Sequence, residues 1–115
     1  MNVKRVLVTS IAGGTATATI TLPQGGRILG IGWAAVNAAA GSWEFSKSST
    51  SQIATTSPDS GVLWRTRFAA PLSSVGVIPI QEGFREYNLP VKVLDTFYLH
   101  CTGTGNVGEF MIYLG

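Results

Sequence analysis

The end of the chain, from Thr96 to Gly115, alternates apolar and polar side chains with a period of two residues. Two runs of this alternation each place three apolar side chains on one face: Phe97, Leu99 and Cys101 in the first, then Phe110, Ile112 and Leu114 in the second. A Gly-Thr-Gly-Asn sequence at 103–106 separates the runs. A period of two fits strands and not helices, so this segment predicts a β-hairpin that closes the fold.

The rest of the chain also consists of short strand patterns and turn residues, without a convincing helix. Strands are predicted over 3–9, 15–22, 27–36 and 61–69, with shorter ones beginning at Trp43 and Leu89. Turns are predicted at 11–14 and 23–26. About eight strands with turns at this spacing predict an all-β fold, a single-domain antiparallel β-sandwich over residues 1–115 that is jelly-roll-like.

Two strand patterns carry further information. Over 15–22, threonines fill one face and small or apolar residues fill the other: Ala16, Ala18, Ile20 and Leu22. Threonine suits an exposed strand face, so the apolar side is expected to face the core. In the next strand, Gly30 and Gly32 fall on the face of Ile28, which removes side chains from one strip and leaves room for a backbone or an aromatic ring.

Three stretches are expected to be irregular. Residues 46–60 contain nine Ser or Thr among fifteen residues and predict a long, exposed polar loop. The alanine-rich run at 34–40 is expected to be a strand end plus a loop. Residues 71–83 lack a clear alternation, and Pro79 limits any strand there to a sheet edge.

The charge content is low. Eight basic and six acidic side chains give a net charge of +2, and the basic residues form no run that would indicate nucleic-acid binding. Charged residues make up 12% of the chain, against roughly 25% in typical soluble domains. Part of such a surface is expected to be covered by another copy, so a homo-oligomer is predicted.

The N-terminal sequence has too short an apolar run for a signal peptide, and no segment approaches the ~20 apolar residues of a membrane helix. We therefore expect a protein made in the cytoplasm without export and without a membrane partner. The single cysteine, Cys101, allows no internal disulfide and is expected to be a small buried apolar residue.

Side chains suited to catalysis or metal binding are few and scattered. His100 and Cys101 are neighbours in one strand, so they point to opposite faces, with His100 expected on the outward face. The acidic residues are expected in turns or in solvent, with no ligand spacing for zinc or calcium. The Gly-rich turns precede no helix and lack the lysine of a phosphate loop. We expect no enzymatic activity, no cofactor and no metal.

The aromatic residues are the best candidates for binding, because Trp and Tyr anchor protein interfaces and stack on sugars. Trp43 and Trp64 share strand faces with other large apolar side chains and are expected in the core. Trp33 shares its face with Leu29, whereas Tyr98 and Tyr113 share theirs with polar residues. The predicted interface comprises Trp33, Leu29, Tyr98, His100, Tyr113, Arg65 and Arg67.

Three segments resemble the small jelly-roll structural proteins of tailed and icosahedral bacteriophages, and the resemblance extends over nearly the whole chain. They are Arg27-Ile-Leu-Gly-Ile-Gly-Trp-Ala, Trp43-Glu-Phe-Ser-Lys-Ser-Ser-Thr-Ser-Gln and the run from Leu89 to Gly105. The resemblance implies a virion component, commonly a homotrimer without catalytic residues, that contacts the major capsid protein or other virion proteins. The 115 residues are few for a major capsid jelly roll, which favours a capsid decoration (cement) or spike protein.

Two other function classes stay open. A carbohydrate-binding β-sandwich module or receptor-binding fibre domain would use Trp33 or Tyr98 as a stacking platform for a surface glycan. A jelly-roll enzyme of the cupin type would need a cluster of His and Glu ligands, which a single histidine nearly excludes.

Overall fold

The computed structural model describes residues 5–12, 16–23, 25–36, 41–54, 57–58, 60–68, 80–102 and 107–115. Within these ranges the chain forms eight strands: β1 (Arg5–Ala12), β2 (Ala16–Thr21), β3 (Gly26–Val36), β4 (Gly41–Ser46), β5 (Val62–Phe68), β6 (Ile80–Val91), β7 (Thr96–Cys101) and β8 (Val107–Leu114). The same ranges contain no helix with the length and apolar character needed to cross a membrane.

The strands form two four-stranded sheets. Sheet 1 has the order β1-β8-β3-β6, and sheet 2 has the order β2-β7-β4-β5. Strand β1 pairs with β8, β2 with β7, β3 with β6 and β4 with β5, and all four pairs are antiparallel. This is the pairing that results when one long hairpin folds over into two layers. This is a jelly-roll arrangement, and the predicted antiparallel β-sandwich of about eight strands is confirmed.

The core lies between the two sheets and is rich in aromatic rings. The Phe45 ring of β4 stacks on Phe97 of β7 and also meets Phe110 of β8, each with 5.1 Å between ring centroids. Trp43 and Trp64 are buried as predicted, with 0% and 4% of their surface exposed. Burial of a large apolar side chain stabilises a fold by about 1.5–3 kcal/mol, so these rings hold the two layers together.

The predicted closing hairpin is wrong, although both of its strands exist. β7 pairs with β2 and β4 in sheet 2, whereas β8 pairs with β1 and β3 in sheet 1. Their apolar faces therefore meet across the core and do not lie side by side. Alternation determines which face of a strand is buried but not which strand it pairs with, so a connection that crosses between sheets gives the same pattern.

The alternation over 15–22 is confirmed in β2, where Thr17, Thr19 and Thr21 are exposed and Ile20 is buried. The end of β1 differs from the prediction, because this strand continues to Ala12 through residues that were expected to form a turn.

The segment expected to be irregular over 71–83 is in part a strand, since β6 begins at Ile80. Residues 80–83 are extended because they pair with the far end of the long strand β3. β6 lies at the edge of sheet 1, as expected for a strand next to Pro79. Residues 71–79, 37–40 and 103–106, for which loops or turns were predicted, lie outside the described residues.

A β-bulge at Leu29 changes which side of β3 faces the core. The register of β3 shifts between Ile28 and Gly30, and Ile28 and Ile31 are both buried with 1% of their surface exposed. The extra residue turns the following positions over. The expectation that Gly30 and Gly32 share the face of Ile28 is therefore wrong, and both glycines face away from the core.

Candidate functional site

The outward side of sheet 1 has a strip without bulky side chains along β3. Gly30, Gly32 and Ala34 occupy three successive outward positions of this strand. The neighbouring strands bring larger residues to both sides of the strip, with Phe84 of β6 and Met111 of β8 directly opposite Gly32. The strip is thus a shallow floor between two rows of larger side chains.

Two aromatic rings lie on this floor. The Phe84 ring leans over Gly30 so closely that a Cβ at that position would overlap it. Tyr113 lies over Gly32, with its Cε2 3.3 Å from where a Cβ would stand. The two rings meet edge to face with 5.3 Å between centroids, a favourable aromatic geometry. The expectation that a ring packs on the two glycines is confirmed.

We call Gly30, Gly32, Phe84, Met111 and Tyr113 the aromatic face. Phe84 is 56% exposed, and Met111 and Tyr113 are half-buried. The hydroxyl of Tyr113 donates to the Met111 sulfur at 3.8 Å, so the polar end of this ring is tied to the same surface. A large exposed ring held against neighbours is typical of contact surfaces.

Carboxylates border the aromatic face. Glu82 and Glu86 of β6 and Glu109 of β8 are exposed, and they flank the strip in the strand register. Arg27, near the start of β3, donates to Asn88 Oδ1 at 2.8 Å. With one cation against three carboxylates, the described part of this surface is negative.

A second open surface lies at the opposite sheet, on its edge strand β5. Arg65 and Arg67 are alternate residues of β5, and together with Ser42 and Thr66 they line an open pocket. We call these four residues the arginine edge. Arg67 is exposed, and no ion pair joins it to another described residue. This surface is positive, in contrast to the aromatic face.

A row of polar side chains crosses the outward side of sheet 2. Thr17, His100, Glu44 and Arg65 are aligned through the registers of β2, β7, β4 and β5. His100 is only 2% exposed and Glu44 is fully buried. Glu44 Oε2 lies 3.7 Å from Arg65 Nε, so its buried charge has an opposite charge close by.

The loop after β4 covers the histidine of this row. His100 Nε2 lies 2.8 Å from the main-chain oxygen of Ser48, and His100 Nδ1 lies 3.0 Å from Thr17 Oγ1. Since a carbonyl oxygen only accepts, Nε2 donates to Ser48, and in a neutral ring Nδ1 accepts from Thr17. Nε2 therefore holds the loop on the sheet, and Nδ1 fixes the ring against Thr17 of β2.

The same loop is held by the charged pair of the row. The main-chain amide of Gln52 donates to Glu44 Oε1 at 3.0 Å. Arg65 donates to the main-chain oxygens of Gln52 and Ile53. His100 lies on the outward face of its strand as expected, but the loop buries it. The expectation that Glu44 lies in a turn or in solvent is wrong. Strand alternation shows the face of a side chain but not the loop that covers it.

Cys101 lies on the core side of β7, across the strand from His100. It is 2% exposed, and burial raises the pKa of its thiol to about 12. The thiol is therefore protonated and shielded, and it is not aligned with the histidine. Among the described residues no group of three His, Cys, Asp or Glu side chains is arranged to hold a metal ion.

The residues predicted to form the interface are spread over several surfaces. Tyr113 lies on the aromatic face, and Arg65 and Arg67 belong to the arginine edge. Tyr98 is half-buried on the outward side of sheet 2 and stacks on the His100 ring with 6.2 Å between centroids.

Trp33 and Leu29 lie elsewhere. The Trp33 ring is half-buried on the core side, 4.6 Å from the Trp64 ring, in space that Gly83 leaves free. Leu29, at the bulge, is half-buried against Gly115. Neither residue is part of the aromatic face.

The prediction missed Phe84, Met111 and the bordering glutamates. The signal is present at every second residue, where Glu82, Phe84 and Glu86 alternate acidic and apolar side chains and Glu109 is followed by Met111. The sequence does not reveal a surface there, because the predicted strand in this region begins only at Leu89 and because the two segments are far apart in the sequence.

No family model matches the chain, and comparison with curated proteins and with solved structures gives no match either.

Proposed function

We propose that this chain is a non-enzymatic structural protein of a virion, a homo-oligomer that binds and stabilises a phage capsid as a decoration protein or forms part of a spike. The aromatic face is the observation that carries this proposal. Phe84 and Tyr113 are packed against each other on a glycine floor, where Phe84 is 56% exposed and Tyr113 is half-buried. Rings already held in place lose little conformational entropy when a partner covers them, so they suit a lasting protein contact.

Fold and composition support an assembly role. Jelly rolls are common among viral capsid proteins, and the three segments that resemble phage structural proteins make the capsid the expected partner. With 12% charged residues, the surface has few groups that must stay hydrated. Contact with other virion proteins therefore costs little desolvation.

The placement of the reactive side chains supports a non-enzymatic role. His100 uses both ring nitrogens to bind Thr17 and the loop at Ser48. Glu44 is buried beside Arg65. These groups hold the loop on sheet 2, and a substrate would have to displace that loop to reach them.

The test is binding to capsids that lack this protein, measured by co-sedimentation. We expect saturable binding of the wild type and weaker binding of Phe84→Ala, because a subunit that assembles less well attaches to the capsid through fewer linked copies. Val93→Ala is the matched control, because Val93 is 64% exposed but lies in a turn away from the aromatic face. Folded wild-type protein that does not sediment with capsids would contradict the proposal.

Glycan binding is the second candidate function. An exposed ring beside carboxylates and an amide is a feature of sugar-binding surfaces. The exposure of Phe84, with Tyr113 against it, favours these two rings as the stacking platform over Trp33, whose ring lies on the core side. A glycan array should then give a signal that Phe84→Ala abolishes. An array without signal for the wild type removes this candidate.

A further inference from the structure

We propose that the aromatic face of one copy binds the arginine edge of a second copy, in a head-to-tail contact. The inference rests on the proposed function, because it names the two surfaces that build the proposed homo-oligomer. It goes beyond that function by stating which residues meet.

The two surfaces are complementary in charge and in the hydrogen bonds and ring contacts that their side chains can make. The aromatic face is bordered by the exposed carboxylates of Glu82, Glu86 and Glu109, and the edge presents Arg67 beside Arg65. A guanidinium binds a carboxylate through two parallel hydrogen bonds and also stacks on aromatic rings. One arginine can therefore engage both the border and the rings of the aromatic face.

Contact between two identical surfaces is disfavoured. A two-fold pairing of aromatic faces would bring the bordering glutamates of both copies together, and a pairing of arginine edges would do the same with guanidinium groups. Like charges brought together in an interface are repulsive and select against such pairings. Opposite charges meet when the two surfaces that bind are different.

The arginine edge is held in place before a partner arrives. Arg65 is anchored by the main-chain oxygens of Gln52 and Ile53 and lies 3.7 Å from the Glu44 carboxylate. Arg67, two residues further along β5, is exposed. Arg65 thus forms the fixed base of the edge, and Arg67 is the group that reaches a carboxylate of the partner.

Position in the fold allows this contact. β5 and β6 are edge strands of their sheets, so Arg67 on β5 and Phe84 and Glu86 on β6 lie where a second molecule can approach. A contact between two different surfaces leaves one of each surface free on the complex, so it repeats from copy to copy unless a ring closes.

The test uses charge reversal on each surface. Glu86→Arg alters the aromatic face, Arg67→Glu alters the edge, and a third variant carries both changes. Sedimentation velocity over a concentration series measures association, and circular dichroism confirms that each variant is folded. Lys92→Glu is the control, because Lys92 is exposed in a turn and the substitution makes the same change in charge as Arg67→Glu.

We expect each single reversal to weaken association by about tenfold or more, and the double variant to regain much of it because the charges again attract. The control should associate like the wild type, and wild-type association should weaken as salt is added. A wild-type oligomer that neither reversal affects would overturn the docking but leave the proposed function standing. A wild-type protein that stays monomeric would overturn both.

Discussion

The ring of Phe84 on β6 fills the space that a side chain at Gly30 on β3 would occupy. Gly30 and Gly32 are not among the glycines with positive φ, so their backbone is one that other residues adopt. What these positions require is the absence of a side chain. The glycines therefore serve the surface, because they leave room for two rings to meet edge to face on the outward side of sheet 1.

Alanine substitutions at two glycines should differ in their effect on stability, because one glycine lies under a surface ring and the other under a core ring. Gly30→Ala should change stability little, because the overlapping atoms are the tip of the Phe84 ring, which can swing into solvent. Gly83→Ala should lower the free energy of unfolding by about 1–3 kcal/mol, because its Cβ would overlap the Trp33 ring, which is packed against Trp64. Urea unfolding measures both variants, and equal losses would contradict this distinction.

The buried histidine should matter for the loop it holds. His100→Phe keeps a ring of similar size but leaves Thr17 Oγ1 and the Ser48 main-chain oxygen without their partner. We expect a loss of about 1–3 kcal/mol of unfolding free energy and faster proteolytic cleavage within 48–54. Thr17→Val removes one of the two contacts and should have the smaller effect; a larger effect of Thr17→Val would argue against this role of His100.

The ion pair between Lys47 and Asp95 predicts a pH dependence of stability. The hydrogen bond from Lys47 lowers the pKa of Asp95 below its ordinary value of 3.8. A group with a depressed folded pKa stabilises the fold above its unfolded pKa, and the contribution is lost as pH falls through the folded pKa.

Asp95→Asn should therefore lower the urea midpoint near neutral pH. The difference from the wild type should be small, because the lysine side chain is 44% exposed and solvent screens the pair. It should shrink as the solution is acidified below the ordinary aspartate pKa. A difference that grows in acid would contradict the assigned direction.

The buried thiol should be inert in the folded protein. Because burial raises the pKa of Cys101 to about 12, the reactive thiolate is scarce and reagents cannot reach it. A disulfide reagent should label Cys101 in urea and leave the native protein unlabelled over the same time. Native labelling at the rate of a free thiol would show that this part of the core opens readily.

The sequence predicted the faces of strands better than their partners. In β7 and β8 the buried residues were identified, yet the two strands were wrongly joined into a hairpin, since local alternation contains no information on pairing between distant segments. The bulge at Leu29 adds one residue to β3 relative to β8 and reverses the faces of Gly30 and Gly32. A period-two pattern gives no indication of an extra residue within a strand.

The candidate surfaces were harder to predict than the fold. Phe84 of β6 and Tyr113 of β8 meet across β3, which lies between these two strands in sheet 1. This arrangement depends on the whole topology. His100 was assigned to the outward face, which is correct for the strand, but its burial depends on a Ser-rich loop whose path the composition does not reveal.

The most direct measurement is the mass of the purified wild-type protein in solution, by light scattering over a concentration series, with Phe84→Ala and Val93→Ala alongside. We expect an oligomer, with three times the subunit mass of 12.1 kDa for the trimer that the resemblance implies. Phe84→Ala should dissociate at higher concentrations than the wild type, and Val93→Ala should not. A wild-type monomer at every concentration would contradict the assembly role.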